Sequence, residues 1–198
     1  MPEGFIPKHG GYRNLLSYQR AEVVYDATVR FCRRYLERRD RTVDQMVQAA
    51  RSGKQNIIEA SMASGTSKET EIKLTNVARA SLEELKEDYR DFLRLRGFEE
   101  WDKSHPYAKR LSKLARTPGA NYETFRKAVD HPDPAIAANA ILGLIKITAY
   151  LLSQQLRQLE KAFVEEGGLR ERMTRARLNE RARQEATKRR GPFGSRKT

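Results

Sequence analysis

Two arginine-rich segments are the residues of this chain best suited to binding an anion. The first covers residues 30–41, RFCRRYLERRDR, with six arginines and two acids, and the second covers residues 169–198, with eleven Lys and Arg against three acids. Arginine outnumbers lysine in both segments, and its planar guanidinium can donate two parallel hydrogen bonds to a phosphate. We therefore predict that both segments bind nucleic acid through Arg30, Arg33, Arg34, Arg38, Arg41, Arg170, Arg172, Arg175, Arg177, Arg181, Arg183, Lys188, Arg189 and Arg190. The alternative is that these side chains pair with carboxylates of the fold or of a second subunit.

A second stretch looks at first like a phosphate-binding loop. It begins with SGK and continues to SGTS, within residues 52–67. A Walker loop requires G-x-x-x-x-G-K-[ST] after a strand, but Gln48 and Gln55 occupy the first glycine and the final hydroxyl positions. We instead predict a joint between two helices, in which Gly65 turns the chain. In this interpretation Thr66 and Glu69 form a capping box for the next helix.

Metal and nucleophile chemistry find little support in the sequence. The three histidines, His9, His105 and His131, are far apart and lack the Glu-x-x-His pairs of a di-iron bundle. Cys32 is flanked by arginines that could lower its pKa, although a buried small side chain is the commoner role for a lone cysteine. We predict no metal, no cofactor and no catalytic residue.

Two further groups of side chains, one acidic and one aromatic, could serve either chemistry and binding or the packing of the fold. Acidic residues cluster on one predicted helix, where they are more often a solvated or salt-bridged face than an acid–base pair; they are Glu83, Glu84, Glu87 and Asp88. Three aromatic residues could stack on bases, but packing at the ends of a helical fold is the simpler interpretation. They are Tyr12, Tyr18 and Trp101.

The elements that must position these groups are helices. Apolar residues recur every three or four positions in four long segments, at about 14–39, 42–62, 68–96 and from Pro134 to Gly167. Prolines and Gly119 divide the intervening residues 98–133, for which we predict short helices at 104–115 and 121–130. No stretch alternates with the period of a strand. Gly53 lies within an apolar stripe, which indicates close approach of a neighbouring helix.

Charge and cysteine usage limit the possible partners and the compartment. The chain has 198 residues, a net charge of +13 and one cysteine. Such a surplus of positive charge favours a polyanionic partner, and a lone cysteine is typical of a reducing compartment such as the cytoplasm. The most apolar window, residues 135–152, contains Asn139, Lys146 and Thr148, so we interpret it as a buried helix rather than a membrane span.

Several stretches resemble one known family. They read GGYRNLLSYQRAEVVYDATVRFC, DQMVQAARSGKQNIIEAS and TSKETEIKLTNVARASLEELKEDYRDFLR. These are similar to the bacterial four-helix-bundle proteins encoded in intervening sequences of 23S ribosomal RNA genes, a family that includes the accessory variability determinant of diversity-generating retroelements. The region from Ala138 to Leu178 looks like the C-terminal suffix of one branch, so the resemblance covers most of residues 11–180. It departs from the family's N-I-A-E-G pattern at Ile58 and Ala60, and from its apolar pair at Thr70 and Glu71.

The resemblance implies a fold and a binding role rather than a catalytic signature. Members form ring-like pentamers with a basic surface, and the retroelement members bind a reverse transcriptase and its RNA template. We therefore expect an all-α protein, an up-down four-helix bundle with a basic helical C-terminal extension. The expected organisation is a flexible arm (1–11), a bundle with an irregular connection at 98–133 (12–166), and a partly disordered basic extension (167–198).

The expected function is that of a non-enzymatic accessory protein that binds RNA or DNA. It would be a homo-oligomer and a possible partner of a reverse transcriptase, with no membrane contact. The alternative is an adaptor oligomer whose positive face binds an acidic protein.

Overall fold

The predicted all-α class is confirmed. A computed structural model describes residues 9–189, with side chains to Thr187, and no β-strand occurs in that part of the chain. A 3-10 turn at Tyr12–Asn14 precedes the α-helices, which are α1 (Leu16–Tyr35), α2 (Arg41–Ala63), α3 (Lys68–Leu95), α4 (Pro106–Ala115), α5 (Tyr122–Val129), α6 (Pro134–Glu166) and α7 (Leu169–Arg189). The predicted segments lie within a few residues of these bounds.

The apolar stripes become the buried faces of the long helices. On α3, four residues at three- and four-residue spacing are completely buried, namely Ala78, Leu82, Leu85 and Tyr89. Matching stripes on α1 and α2 are buried as well. Burying one leucine side chain contributes about 1.5–3 kcal/mol, so these faces supply most of the stabilisation that holds the helices together.

Four long helices are neighbours in a closed order. Helix α2 packs between α1 and α3, and α6 packs against both α3 and α1. The predicted close approach at Gly53 is confirmed, because a Cβ atom there would lie 2.9 Å from Cδ2 of the buried Leu82. Beside it, the hydroxyls of Ser52 and Ser81 hydrogen-bond at 2.9 Å between α2 and α3.

Helices α1 and α6 run in opposite directions. The hydroxyl of Ser17, at the start of α1, donates to the side-chain oxygen of Gln155 in the second half of α6, at 3.1 Å. At the other end of α1, the hydroxyl of Tyr35 donates to the backbone oxygen of His131, just before α6 begins. The C-terminal end of α1 therefore lies beside the N-terminal end of α6.

The predicted joint between α2 and α3 is confirmed, but its capping box is wrong. The N-cap of α3 is Ser67, whose hydroxyl accepts the backbone N–H of Thr70 at 3.1 Å. The backbone N–H groups of Thr66 and Ser67 both donate to Ala63, which keeps Thr66 within the turn after α2. Ser67 has a φ of -146° and a ψ of 103°. This is the extended backbone that an N-cap residue adopts.

The irregular region between α3 and α6 is bound to α1 by the side chain of Arg20, a contact that was not predicted from the sequence. Helices α4 and α5 pack against α6. Arg20 of α1 is completely buried and donates to the backbone oxygens of Ala115 at 2.7 Å, Thr117 at 2.6 Å and Ala120 at 2.5 Å. One feature of the sequence could have indicated this burial: Arg20 directly precedes Ala21, a residue of the apolar stripe of α1.

Helix α6 belongs to the core. The helical stretch Pro134–Thr187 contains one window long and apolar enough to cross a membrane, by length and composition, and 61% of that window is buried inside the fold. Helix α6 contacts α1, α3, α4 and α5, which is the environment expected of a central helix.

Candidate nucleic-acid interface

Helix α7 carries the larger arginine cluster and has no buried residue among its described side chains. It begins after a break at Gly167, whose φ is 74°. Glycine adopts this left-handed region at little cost. The N–H of Gly167 donates to the backbone oxygen of Phe163 at 3.0 Å and closes α6. The composition of α7 is rich in Arg, Ala and Glu, which are good helix formers. Its apolar residues are too few to form a stripe along one face. Two of its larger apolar residues, Met173 and Leu178, are 40% and 58% exposed, and the third, Leu169, is half-buried.

The described arginines of α7 are almost free of ion pairs. The only described pair in α7 joins Arg183 Nε to Glu180 Oε2 at 3.6 Å, and both side chains are at least half exposed. Such a surface pair contributes about 0–1 kcal/mol, so it holds Arg183 only weakly. Arg172 is half-buried, and its Nε atom is buried without a hydrogen-bond partner. The predicted contacts Lys188, Arg189 and Arg190 lie outside the described side chains.

The second cluster lies at the corner between α1 and α2, and the structure divides it. Arg30 Nη1 lies 3.5 Å from a carboxylate oxygen of Asp130, and the Arg30 guanidinium lies over the ring of Tyr122 at 4.8 Å. Arg34 donates to the backbone oxygen of Asp130 at 2.9 Å. Both arginines therefore fasten α1 to the end of α5. They remain exposed, yet part of their hydrogen-bonding capacity is already used.

Asp130 accepts hydrogen bonds from Arg30, Arg34 and Tyr122. Its carboxylate accepts the hydroxyl of Tyr122 at 2.6 Å and lies 3.7 Å from Nε of Arg126. Burial, followed by this hydrogen bond to Asp130, raises the pKa of Tyr122 well above its ordinary value, so the phenol stays protonated as a donor. This part of the corner serves internal packing.

The other corner arginines are available to a ligand. Arg33 lies on the last turn of α1, Arg38 in the connection and Arg41 at the first position of α2. All three are exposed, and none makes an ion pair with any other described residue. Between them, the carboxylate of Asp40 accepts the backbone N–H of Thr42 at 2.9 Å and caps α2; this hydrogen bond, more than any other cause, lowers the pKa of Asp40.

The two clusters lie at opposite ends of α6. The corner is beside the start of α6, where Tyr35 contacts His131, and α7 begins after the end of α6 at Glu166. Helix α6 has 33 residues. At the rise of an α-helix this length corresponds to about 50 Å. The arginines therefore form two separate basic regions rather than one continuous site.

Other candidate residues take structural roles. Cys32 is buried, and burial followed by the nearby charges of Asp88 and Asp40 raises its pKa to about 12, which is opposite to the lowering considered from the sequence. Two members of the acidic cluster form ion pairs within α3: Glu83 pairs with Lys86, and Glu87 pairs with Arg90 at 2.9 Å.

The remaining members of the acidic cluster are Glu84 and Asp88. Glu84 is exposed and makes no ion pair with any residue the structure describes. Asp88 is half-buried, and burial, then repulsion by Asp91 and Glu84, raises its pKa. The solvated, salt-bridged interpretation of this cluster is confirmed for Glu83 and Glu87.

The histidines are dispersed. His131 Nδ1 accepts the backbone N–H of Asp133 at 3.1 Å, whereas His105 stacks on Trp101 with ring centroids 4.6 Å apart. His9 lies against Gly65 at the α2–α3 joint. Within residues 9–189, no group of three His, Cys, Asp or Glu side chains is arranged to hold a metal ion.

The aromatic residues pack as the simpler interpretation expects. The rings of Tyr12 and Tyr18 meet edge to face at 4.9 Å, and the Tyr18 hydroxyl donates to Glu22 at 2.9 Å. Trp101 packs on His105, and its backbone N–H donates to Asn139 of α6 at 2.8 Å. These contacts close the ends of the helical core.

One acidic cleft was not foreseen from the sequence. It has a volume of about 410 Å³ and lies between α1 and the start of α5. Glu22, Asp26 and Glu123 line it together with Gln19, whose side-chain oxygen is buried without a hydrogen-bond partner. Burial is the main cause that raises the pKa of Asp26. The sequence did not predict this local excess of acids, because the net charge of the whole chain is +13 and the lining residues are far apart in the sequence.

Comparison with known proteins adds no relative. No protein-family model matches the chain, and no curated protein or solved structure is similar enough to count as a match.

Proposed function

We propose that this protein is a non-enzymatic accessory protein that binds RNA or DNA, with α7 as its main contact. The observation that carries the proposal is the set of six described arginines on α7. All but Arg172 are exposed, and the one described ion pair is the weak contact of Arg183 with Glu180. None of the described side chains of α7 is buried, yet six of them are arginines, and contact with a binding partner is the most direct physical explanation for such a helix. The exposed Arg33, Arg38 and Arg41 form a second contact region at the far end of α6.

Electrostatics favour a polyanion as that partner. Residues 169–198 carry eleven basic and three acidic side chains, a net charge of +8 within the total of +13. Each phosphate neutralised by an arginine releases counterions, so such binding is strong at low salt and falls steeply as salt is added.

The proposal also includes the assembly. The closed order of α1, α2, α3 and α6, with α1 and α6 antiparallel, supports an up-down four-helix bundle. By resemblance to the intervening-sequence family, we propose a homo-oligomer, a pentamer in that family, that docks on a reverse transcriptase in the bacterial cytoplasm. Light scattering coupled to size-exclusion chromatography tests the assembly; a monomer at all concentrations would contradict it.

The test of binding compares the full chain with a variant lacking residues 169–198. Fluorescence anisotropy with labelled RNA and DNA, at about 50 mM salt where electrostatic binding is strong, should show tight binding by the full chain. The truncated variant should bind weakly, with a flatter dependence of log K on log salt. An unchanged slope would assign binding to the rest of the fold.

Absence of binding by the full chain at low salt would overturn the proposal. The adaptor alternative then predicts that the protein purifies with an acidic protein and with a low ratio of absorbance at 260 nm to that at 280 nm. The expected result for the proposal is a high ratio before a high-salt wash and a low ratio after it.

A further inference from the structure

The described arginines of α7 form two rows on opposite sides of the helix. At about 100° per residue, the members of the first row point within about 20° of their mean direction, and those of the second row point about 140–220° away from it. The first row is Arg170, Arg177 and Arg181, and the second row is Arg172, Arg175 and Arg183. Each row extends about 16 Å along the helix.

Two opposite rows fit a partner that surrounds the helix on both sides. A flat acidic surface, or one extended strand, would contact a single row and leave the other in water. The major groove of duplex DNA is about 12 Å wide, it is bordered by a phosphate strand on each side, and an α-helix with its side chains is about 10–12 Å across. The major groove of duplex RNA is deep and narrow and does not admit a helix in this way.

Both flanks between the rows carry acidic and apolar side chains. Glu171, Glu185 and Leu178 lie on one flank, and Glu180 and Met173 lie on the other. Neither flank is free of carboxylates, so the two arginine rows alone define the sides of α7 that are suited to contact phosphates.

We propose that the ligand is duplex DNA and that α7 lies in its major groove, one arginine row on each phosphate strand. This inference rests on the proposed nucleic-acid function and narrows it to one kind of nucleic acid and one binding geometry.

The first test compares three ligands by fluorescence anisotropy with the full chain. They are duplex DNA of about 20 base pairs, roughly two helical turns, the same sequence as single-stranded DNA, and the corresponding duplex RNA. The expected order has duplex DNA at least about tenfold tighter than the other two, because only its major groove accepts both rows. Equal or weaker binding of duplex DNA would overturn the groove inference and leave nucleic-acid binding standing. Absence of binding to all three would overturn both.

The second test removes one row at a time. The variants are Arg170→Gln/Arg177→Gln/Arg181→Gln and Arg172→Gln/Arg175→Gln/Arg183→Gln. The first variant should lower the salt slope for duplex DNA by about 2.7, from three phosphate contacts at about 0.9 each. The second should lower it by about 1.8, because Arg175 and Arg183 are exposed whereas Arg172 is half-buried. The matched control, Arg51→Gln/Arg110→Gln/Arg116→Gln, removes the same charge from exposed arginines outside both regions. Loss confined to one row, or an equal loss in the control, would overturn the inference.

Discussion

The guanidinium of Arg20 donates a 2.7 Å hydrogen bond to the backbone oxygen of Ala115, the last residue of α4. This contact joins positions that are far apart in the chain, and it satisfies a carbonyl at the end of a helix, where no intrahelical donor remains. A positive charge is also favourable there because it opposes the helix dipole. Arg20 is thus the buried link between α1 and the irregular region.

Replacing Arg20 with methionine should destabilise the fold by about 3–5 kcal/mol, because three carbonyl oxygens would lose their donor and each unsatisfied buried group costs about 1–3 kcal/mol. Urea denaturation followed by circular dichroism measures the change. The matched control is Arg157→Met, at an exposed position of α6. A surface substitution of this kind should change stability by less than about 0.5 kcal/mol. Similar stabilities of the two variants would contradict the role given to Arg20.

Cys32 should resist thiol reagents in the folded protein. Burial raises its pKa to about 12, so at pH 8 its thiolate is rare as well as inaccessible. A disulfide reagent should label the thiol only after urea is added, and Cys32→Ala supplies the background. Fast labelling without urea would show that the side chain is open to solvent.

The same thiol predicts a dependence of stability on pH. The folded pKa of Cys32 lies above its ordinary value of 9.0. Its contribution to stability is therefore complete below about pH 9 and is lost as the pH rises towards about 12. Between about pH 9 and 10.5, the free energy of unfolding should fall more in the native chain than in Cys32→Ala. Parallel curves would mean that the thiol titrates normally in the folded state.

Replacing Gly53 with valine should destabilise the fold by about 1–3 kcal/mol, because a packed core resists such an insertion. The first carbon alone would lie 2.9 Å from Leu82. The matched control is Ala80→Val, at an exposed position of α3. It introduces the same β-branched side chain into a helix and should cost no more than about 0.7 kcal/mol. Thermal unfolding compares the two, and equal losses would show that helix propensity, rather than the contact with Leu82, is the cause.

Replacing Asn139 with leucine should alter the fluorescence of Trp101, the only tryptophan. The amide of Asn139 accepts the backbone N–H of Trp101 at 2.8 Å and donates to the backbone oxygens of Glu99 and Ala135. Without these bonds the Trp101 segment should loosen, and we expect a red-shifted emission together with a loss of about 2 kcal/mol. Asn179→Leu, on the exposed face of α7, should leave the emission unchanged.

Much of the fold could be predicted because the helical periodicity is local. The stripes of α1, α2 and α3 follow from the spacing of residues such as Phe31, Ile57 and Leu82, and each is buried as that spacing predicts. The capping box failed by one residue, since Thr66 and Ser67 are both able to cap a helix. The choice between them depended on how the turn after Ala63 closes, and that is a property of backbone geometry.

The candidate interface was only partly predictable. Composition identified the arginines, but it could not show that Arg30 and Arg34 are drawn towards Asp130 while Arg33 remains unpaired among the described residues. Those contacts join α1 to α5 across about 100 residues of chain, as do the hydrogen bonds of Arg20. Pairings of this kind depend on which helices become neighbours.

The sequence by itself determined that this protein is helical, where α1 to α6 begin and end to within a few residues, and that its surplus charge is concentrated in two arginine segments. It did not determine the bounds of α7, which lies in the extension that was expected to be partly disordered. The properties that it did determine come from local periodicity and composition, which act over short stretches of chain. Only the tertiary structure decided that the two segments lie at opposite ends of α6, that a buried arginine secures α4, and that a cleft of acids lies within a basic chain. Each of these depends on distances between residues remote in sequence, and the packing of the helices alone fixes those distances.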